Sequence, residues 1–340
     1  MNKIILHNAL IVNDNKTFNG GIVIENDKII SVFEGNIPNG LLPLEYNLID
    51  IKGNLVIPGV IDDQVHFRDP GLTHKGDLFT ESRAAIAGGV TTFMDMPNVK
   101  PQTTTIELLE ERYTIAANKS LANYSFYLGA TNDNLDEILQ LSPDQACGIK
   151  LFMGSSTGNI QVYNIDEMNN IFKNCSLPIA IHSEYEPIIK ANLAKYKGKF
   201  GDNIPIEYHP IIRSSEACYK SSAIAVELAH KHGSRLHILH LSTAKELDLL
   251  DNTRPSIEKK ITAEVCVHHL MFDDRDYAKK RELIRWNPSI KSETDKLALL
   301  EAVKNGKIDI VATDHAPHTI EEKMGPYTTA MSGGPLIQHS

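Results

Sequence analysis

From Leu55 onwards, the chain alternates short apolar runs with helical segments, and no other feature constrains its fold as strongly. Eight runs have the character of strands, and they are LVIPGVIDDQVHF, VTTFMDMPN, ANYSFYLGAT, GIKLFM, LPIAIHS, RLHILHLST, ITAEVCVHHL and IDIVATDHAP. Helical segments lie between them, for example LFTESRAAIAG after the first run and SETDKLALLEAVKNG before the eighth. This alternation is typical of βαβ units in a parallel sheet. Eight repeats fit a (β/α)8 barrel, the TIM-barrel fold, better than an open sheet.

The first 55 residues have a different pattern. Apolar and polar residues alternate with a period of two in IILHNALIVN, GGIVIENDKIISVFEG and YNLIDIKGN, and Asn, Gly and Asp turns join these segments. We expect residues 1–55 to form the N-terminal part of a small β-sandwich and residues 56–340 to form the barrel. The last residues, SGGPLIQHS, look like the start of the helix that follows strand 8. We therefore expect a truncated barrel, poorly soluble when made alone because part of its apolar wall stays uncovered.

The composition excludes several classes of protein. With 42% hydrophobic and 23% charged residues, the chain has enough apolar material for a large core. Its net charge of -9 provides no positive field that would hold a nucleic acid. The four cysteines form no CxxC pair, which suits a reducing compartment. No run approaches the roughly 18 apolar residues of a membrane span, so we expect a cytoplasmic protein that binds neither nucleic acid nor membrane.

Polar residues gather at the carboxyl ends of the predicted strands, where (β/α)8 barrels carry their chemistry. These residues are His66, Asn98, His182, His240, His268, His269, Asp314, His315 and His318. Histidine is the side chain most often recruited for metal binding and proton transfer near neutral pH. The pattern therefore predicts a site at the mouth of the barrel. We expect His268 and His269 to stay outside the metal ligands, and His237 to point to the face opposite His240 and be structural.

The motif DDQVHFRDPG closes the first barrel strand. Strand alternation directs Gln64, His66 and Arg68 to the same side, where they form either a hydrogen-bonded polar layer or a binding site. Four further motifs follow on later strands, namely FMDMPN, HILHLST, RWNPSIK and ATDHAPHTIEEK. In this order, and over essentially the whole chain, the five motifs resemble those of the dihydroorotase family of the amidohydrolase superfamily.

Lys150 lies inside the apolar run GIKLFM. A buried, unpaired lysine is costly, so it should lose its proton or gain a partner such as an Asp, unless its side chain reaches solvent. The resemblance implies that Lys150 is instead carboxylated and bridges two metal ions. It also implies that His66, Lys150, His182, His240 and Asp314 are the metal ligands, for which zinc is well suited. Asp314 would in addition be the catalytic residue that shuttles the proton.

Gln64 departs from the family pattern, whose first motif normally reads His-x-His. An amide offers a metal only its carbonyl oxygen, which is a weaker zinc ligand than an imidazole nitrogen. The more exposed of the two metal sites should therefore be weakened. We expect one to two zinc ions per chain, nearer one, and a higher occupancy after Gln64→His.

The resemblance also implies a set of substrate contacts. Arg68 and Asn98 would bind a carboxylate, because the planar guanidinium matches such an anion with two hydrogen bonds. His318 would lie near the substrate. Asn287 would hydrogen-bond a pyrimidine ring, and the less favoured alternative is a turn residue before Pro288.

The function implied is that of a dihydroorotase, which interconverts L-dihydroorotate plus water and N-carbamoyl-L-aspartate in pyrimidine synthesis. Two alternatives stay open. The first is another cyclic amidase, a hydantoinase or allantoinase, against which the anion-binding set counts. The second is an inactive dihydroorotase-like scaffold subunit of aspartate transcarbamoylase, which Gln64 favours and the retained ligands disfavour. A homodimer or an association with aspartate transcarbamoylase would follow from the same resemblance.

Overall fold

The computed structural model describes residues 3–41, 45–154, 160–162 and 164–339. The chain folds into two compact units, which are Met1–Val60 and Ile61–Ser340. The sequence predicts this boundary after residue 55. Within the described ranges, no helix is both long enough and apolar enough to cross a membrane.

The first unit contains one five-stranded sheet. Its strands are β1 (Lys3–Asn13), β2 (Lys16–Glu25), β3 (Lys28–Glu34), β4 (Asn47–Asp50) and β5 (Leu55–Val56). β1 and β2, and β2 and β3, pair in antiparallel fashion, whereas β4 and β5 lie parallel to β1. Ile5, Val23 and Phe33 form its small apolar core. The expected sandwich is therefore a single sheet in this part of the described chain.

The second unit contains a parallel sheet of eight strands. They are β6 (Val60–Val65), β7 (Val90–Asp95), β8 (Asn123–Gly129), β9 (Gly148–Phe152), β10 (Ile179–His182), β11 (Leu236–Ile238), β12 (Ile261–Cys266) and β13 (Ile310–Ala312). Each strand neighbours the next in sequence, from β6 to β13. The two ends of the sheet meet where the His66 N–H donates a hydrogen bond to the His315 carbonyl oxygen, at 2.7 Å. The predicted (β/α)8 barrel is confirmed.

The first predicted strand is divided between the two units. Leu55–Val56 pairs with β1, and Val60–Val65 is the first strand of the barrel. Pro58 lies between them, and proline has no N–H to donate to a ladder of strand hydrogen bonds. The single apolar run LVIPGVIDDQVHF therefore forms two strands.

Helices follow most of the barrel strands. They are α1 (Leu78–Ala87), α2 (Ile106–Lys119), α3 (Leu135–Gln140), α4 (Ile165–Asn174), α5 (Glu186–Phe200), α6 (His209–Ile212), α7 (Ser215–His232), α8 (Val267–Met271), α9 (Tyr277–Lys280), α10 (Glu293–Lys304) and α11 (Ile320–Lys323). The longest predicted segment becomes α7, which Ser214 caps at its N-terminus. Gly233 ends it with a φ of 68°, a left-handed conformation that glycine adopts without strain.

Strand alternation separates two environments in the barrel unit. One set of strand residues, such as Ile149 and Ile238, packs with helix residues such as Leu109 and Leu299 in the main core. The intervening strand positions face the barrel interior, where a small apolar cluster includes Tyr127 and other residues. Polar side chains on these interior positions, including Lys150, are therefore buried unless they reach the mouth of the barrel.

A buried ion pair connects α2 to the ends of the first two barrel strands. Arg112 is fully buried and pairs with the carboxylate of Asp95. Its Nη1 also donates to the Met96 carbonyl oxygen at 3.0 Å. The other carboxylate oxygen of Asp95 accepts a hydrogen bond from the Phe67 N–H at 3.1 Å. This arrangement holds the chain next to His66 in place.

We predict that Arg112→Met destabilises the fold strongly. The substitution leaves the buried Asp95 carboxylate without its partner, which typically costs about 3–5 kcal/mol. Urea denaturation of purified protein measures the loss in the free energy of unfolding. Arg83→Met is the matched control, because Arg83 is exposed on α1 and its loss should cost no more than about 0.5 kcal/mol. Equal stability of the two variants would show that the Arg112–Asp95 pair does not hold the strand ends together.

Candidate active site

A cavity of about 630 Å³ opens at the carboxyl ends of the barrel strands. Every predicted metal ligand and substrate contact lines it, as does Gln64, and these residues are Gln64, His66, Arg68, Asn98, Lys150, His182, His240, Asn287, Asp314 and His318. His315, another of the strand-end histidines, instead contacts Glu81 and does not line the described cavity. The cavity thus brings together residues that are distant in the sequence, such as Gln64 and Asp314, which are 250 positions apart. Further polar or aromatic residues that the sequence did not single out also line the cavity, among them Lys75, Arg213, Arg285 and Trp286.

Two histidines face each other at the ends of β10 and β11. His182 Nδ1 lies 3.0 Å from His240 Nε2. His182 Nε2 lies 2.9 Å from Glu184 Oε2, so this nitrogen carries the hydrogen and Nδ1 presents its lone pair. Burial lowers the pKa of both imidazoles, which are therefore neutral near pH 7. Neutral imidazoles with converging nitrogens are suited to hold one metal ion.

Glu184 orients this pair, and it was missed at the sequence level. Its side chain is fully buried between His182 and Arg213, with which it forms an ion pair. Burial raises the pKa of the Glu184 carboxyl, but Arg213 and His182 outweigh burial and lower the pKa to about 2. A charged residue two positions after His182, directly behind an apolar strand, was the available signal.

His66 and Gln64 both contact Asp314. His66 Nε2 lies 3.1 Å from Asp314 Oδ1, and Gln64 Nε2 donates to the same oxygen at 3.2 Å. The Gln64 amide oxygen instead faces Cys266 Sγ, at 3.7 Å. Its nitrogen and not its oxygen is therefore directed at the other polar groups of the site. His66 Nδ1 contacts Asn98 Oδ1 at 2.7 Å, which leaves the Asn98 amide N–H groups available to a ligand.

Lys150 is fully buried on β9. Its ammonium nitrogen lies 4.7 Å from the centre of the Phe152 ring. Burial lowers the pKa of Lys150 to about 8, although the negative charges of Asp314 and Glu264 favour the protonated form. The neutral amine is thus more populated near neutral pH than in an exposed lysine, as the cost of burying a charge requires.

A positively charged wall forms on another side of the cavity. Arg68 Nη2 lies 3.0 Å from His318 Nε2, and Lys75 Nζ lies 3.2 Å from His318 Nδ1. Burial and the two neighbouring cations lower the pKa of His318 to about 3, so its ring stays neutral. Glu322 neutralises part of this charge through Lys75, at 3.0 Å. Arg68 is itself buried and has no carboxylate partner among the described residues.

Trp286 and Asn287 each have a polar side-chain atom that forms no hydrogen bond with the described residues. Trp286 Nε1 and Asn287 Oδ1 are both buried and have no hydrogen-bond partner among the described residues. The Trp286 ring stacks on His268, with centroids 4.4 Å apart. His269 Nε2 contacts the Pro288 carbonyl oxygen at 3.2 Å. His268 and His269 therefore support the loop that carries Asn287, and neither lines the described part of the cavity.

A second polar cluster lies in the barrel interior and corrects the prediction for His237. This side chain does not point away from the interior, because His237 Nε2 lies 3.3 Å from both Asp63 Oδ2 and Glu264 Oε2. Burial lowers the pKa of His237, but the two carboxylates outweigh it and raise the pKa to about 10. The prediction assumed that strand alternation continues from His237 to His240. It does not, because β11 ends at Ile238 and His240 has a φ of 39°, outside the strand conformation.

This cluster is a candidate metal site. Within the described residues, Asp63, His237 and Glu264 are the group of three His, Cys, Asp or Glu whose ligand atoms all lie within 4.8 Å of one another. None of the three lines the described cavity. The predicted ligands His66, Lys150, His182, His240 and Asp314 form a different set.

Sequence comparison identifies the family. The profile of the Amidohydrolase family matches residues 55–337. The chain belongs to the amidohydrolase family. A dihydroorotase of Methanosphaera stadtmanae is 32% identical over 99% of this chain and 75% of its own length. A dihydroorotase of Pediococcus pentosaceus is 29% identical over 97% of this chain and 76% of its own length. The resemblance inferred from the motifs is confirmed.

Solved structures support the fold of this amidohydrolase. The L-hydantoinase (dihydropyrimidinase) of Arthrobacter aurescens superimposes with a TM-score of 0.90 at 24% identity, over 100% of this chain and 76% of its own. A dihydropyrimidinase of Brevibacillus agri gives a TM-score of 0.85 at 21% identity, over 99% and 74% of the two chains. At these identities the likeness establishes the shared architecture.

We predict a pH-dependent stability contribution from Glu184. Because its folded pKa of about 2 lies below the usual glutamate value, its stabilising effect is complete above about pH 4.5 and is lost as the pH falls towards 2. Glu184→Gln should cost about 3 kcal/mol at pH 7, and the difference from wild type should shrink below pH 4.5. Urea denaturation from pH 7 to pH 3 measures it.

Glu207→Gln is the control for this experiment, because Glu207 is exposed. Its effect on the free energy of unfolding should stay within about 0.5 kcal/mol. A Glu184→Gln deficit that is the same at pH 7 and pH 3 would show that the ionised carboxylate does not stabilise the fold.

Proposed function

We propose that this amidohydrolase is a dihydroorotase, which opens the cyclic amide of L-dihydroorotate to N-carbamoyl-L-aspartate and closes it again. One observation carries the proposal, namely that the same cavity holds a converging pair of neutral histidines and the wall formed by Arg68, His318 and Lys75. A positively charged wall favours a substrate that carries a carboxylate. Relatives named as dihydroorotases support this substrate class.

The cavity residues fit a metal centre. His182 and His240 present neutral nitrogens 3.0 Å apart, and the buried His240 Nδ1 has no hydrogen-bond partner in the described chain. We propose that zinc is held by His66, Lys150, His182, His240 and Asp314, with a carboxylated Lys150 as the bridging ligand if two ions bind. When bound, zinc makes water nucleophilic near neutral pH and polarises the amide carbonyl of the substrate.

The protein side chains position the substrate and move the proton. Arg68 and the free N–H groups of Asn98 bind the substrate carboxylate, and Asn287 Oδ1 accepts a hydrogen bond from the ring. During ring opening, an oxygen–carbon bond forms from water and the amide carbon–nitrogen bond breaks. Asp314 takes the proton from water and delivers it to the departing ring nitrogen. Gln64 holds the Asp314 carboxylate for this transfer by donating to it at 3.2 Å, and His66 Nε2 lies 3.1 Å from the same oxygen.

Gln64 bears on the number of metal ions. In its orientation the amide nitrogen donates to Asp314 and the oxygen faces Cys266. Gln64 thus supports the catalytic carboxylate as a donor instead of acting as a metal ligand. We propose that the more exposed zinc site is the weaker of the two for this reason, and that catalysis persists because Asp314 remains oriented.

We predict that Lys150→Ala abolishes hydrolysis of dihydroorotate and lowers the zinc content by at least one ion per chain. The substitution removes the amine that Lys150 contributes to the metal centre. Elemental analysis of dialysed protein and a dihydroorotate hydrolysis assay measure the two effects. Lys190→Ala is the control, since the Lys190 side chain is 73% exposed on α5. Full turnover and unchanged zinc in Lys150→Ala would refute the role of Lys150.

We predict that Arg68→Met discriminates between charged and neutral substrates. Loss of a charge-assisted pair with a carboxylate should cost about 2–3 kcal/mol in transition-state binding. The kcat/KM for dihydroorotate should therefore fall far more than that for dihydrouracil, which has no carboxylate. Arg83→Met should leave both values unchanged. Equal losses on both substrates would favour a hydantoinase-type activity.

The cellular setting is part of the proposal. We propose a cytoplasmic enzyme of pyrimidine synthesis that acts as a homodimer or in association with aspartate transcarbamoylase. An inactive scaffold subunit is the alternative that Gln64 favours. Absence of both zinc and hydrolysis from the purified protein would support that alternative.

A further inference from the structure

Three polar side chains meet in the barrel interior, deeper than the cavity residues. Asp63 precedes Gln64 on β6, His237 lies on β11, and Glu264 lies on β12. All three are at least nine-tenths buried. None of the described lysines or arginines forms an ion pair with either carboxylate. Two buried acidic groups need positive charge beside them, which either a protonated His237 or a bound cation supplies.

The distances within the cluster are those of metal ligands. His237 Nε2 lies 3.3 Å from Asp63 Oδ2 and 3.3 Å from Glu264 Oε2. A charge-assisted hydrogen bond between nitrogen and a carboxylate is usually shorter, about 2.7–2.9 Å. A tetrahedral zinc ion with bonds of about 2.0–2.1 Å places its ligand atoms about 3.3–3.4 Å apart. One Nε2 hydrogen shared between two carboxylates makes two long, weak bonds, whereas one ion can bind all three groups.

The surroundings of His237 direct its lone pair into the cluster. The Thr262 hydroxyl donates to the Leu236 carbonyl oxygen at 3.4 Å, so its oxygen can accept from His237 Nδ1, 2.8 Å away. With the hydrogen on Nδ1, the Nε2 lone pair faces Asp63 and Glu264. Hydrogen bonding of the distal ring nitrogen is the usual way in which proteins orient a metal-binding histidine.

An unpaired buried oxygen points to a missing ligand. Asp63 Oδ1 is inaccessible to solvent and has no hydrogen-bond partner among the described residues. Such an atom normally has a partner, and its absence suggests an ion or a water next to it. Glu264 is better satisfied, because its Oε1 accepts the His240 N–H at 3.0 Å and its Oε2 faces His237.

We propose that Asp63, His237 and Glu264 bind a divalent transition-metal ion, best suited to Zn²⁺, at a site separate from the metal centre of the cavity. One imidazole and two carboxylates form a donor set that zinc accepts, and a water or Asp63 Oδ1 completes four-coordination. The ion links β6, β11 and β12 across the barrel. Through Glu264 it also fixes the backbone of His240, which lines the cavity.

Metal counting on the full chain tests this proposal. Protein from zinc-supplemented cells is dialysed, and its zinc content is measured for wild type, His237→Gln, Asp63→Asn and the control His230→Gln. His230 is an exposed histidine on α7. We expect His237→Gln and Asp63→Asn each to hold one zinc fewer than wild type, and His230→Gln to hold the same number. Wild-type zinc content in both cluster variants would overturn the proposal and leave protons as the neutralising charge.

A second measurement separates this site from the proposed active site and does not depend on folding of the cluster variants. X-ray absorption on zinc-loaded Lys150→Ala should count one imidazole ligand on its remaining ion, as expected for His237. Two imidazoles would place that ion on His182 and His240, and no bound zinc would mean that the interior site does not exist. If Lys150→Ala instead keeps the wild-type zinc content, the role of Lys150 fails, and the comparison of His237→Gln with wild type still decides the interior site.

Discussion

Closure of the barrel between its first and last strands is the constraint on which the site depends. The His66 N–H donates to the His315 carbonyl oxygen at 2.7 Å, and the Thr313 hydroxyl donates to the Asp62 carboxylate at 2.5 Å. The second of these bonds joins residues 251 positions apart in the sequence, and the first spans nearly the same distance. They place His66 and Gln64 against Asp314. An open sheet would leave this carboxylate without the partners that orient it.

Burial then sets the charges of the site. The same dry interior lowers the pKa values of Lys150, His182 and His240, because each would carry a positive charge that water no longer solvates. The two imidazoles are thus neutral nitrogen donors, the form that binds a metal, and the Lys150 amine loses its proton more readily than that of an exposed lysine. Glu184 differs from these groups because it stays charged although it is buried. Arg213 keeps its carboxylate ionised, and the carboxylate fixes the orientation of His182.

The two polar clusters of the barrel are connected through one strand. Glu264 accepts the His240 N–H with one oxygen and faces His237 with the other. Any change in the interior cluster therefore reaches a residue that lines the cavity. On another side of the cavity, the neutral imidazole of His318 lies between the cations of Arg68 and Lys75. This separation lowers their mutual repulsion and keeps positive charge directed at a ligand.

Much of this organisation was determined by the sequence alone. The eight apolar runs and intervening helices predict the barrel, and the positions of His66, His182, His240 and Asp314 at strand ends predict where the site lies, because side-chain direction and strand polarity are local properties. The motifs also identified the family, since they appear in a specific order along the chain.

Other features were decided only by the tertiary structure. Pro58 divides one apolar run between two sheets, and whether a proline interrupts or ends a strand depends on the partners available on each side. The contacts of His237 could not be predicted without knowing which strands face each other across the barrel. Glu184, Lys75 and Asp63 carry ordinary charges in the sequence, and only packing shows that they are buried next to His182, His318 and His237. Pairing arises from contacts between distant segments, so a local pattern can indicate that a residue such as Glu184 is buried but cannot name its partner.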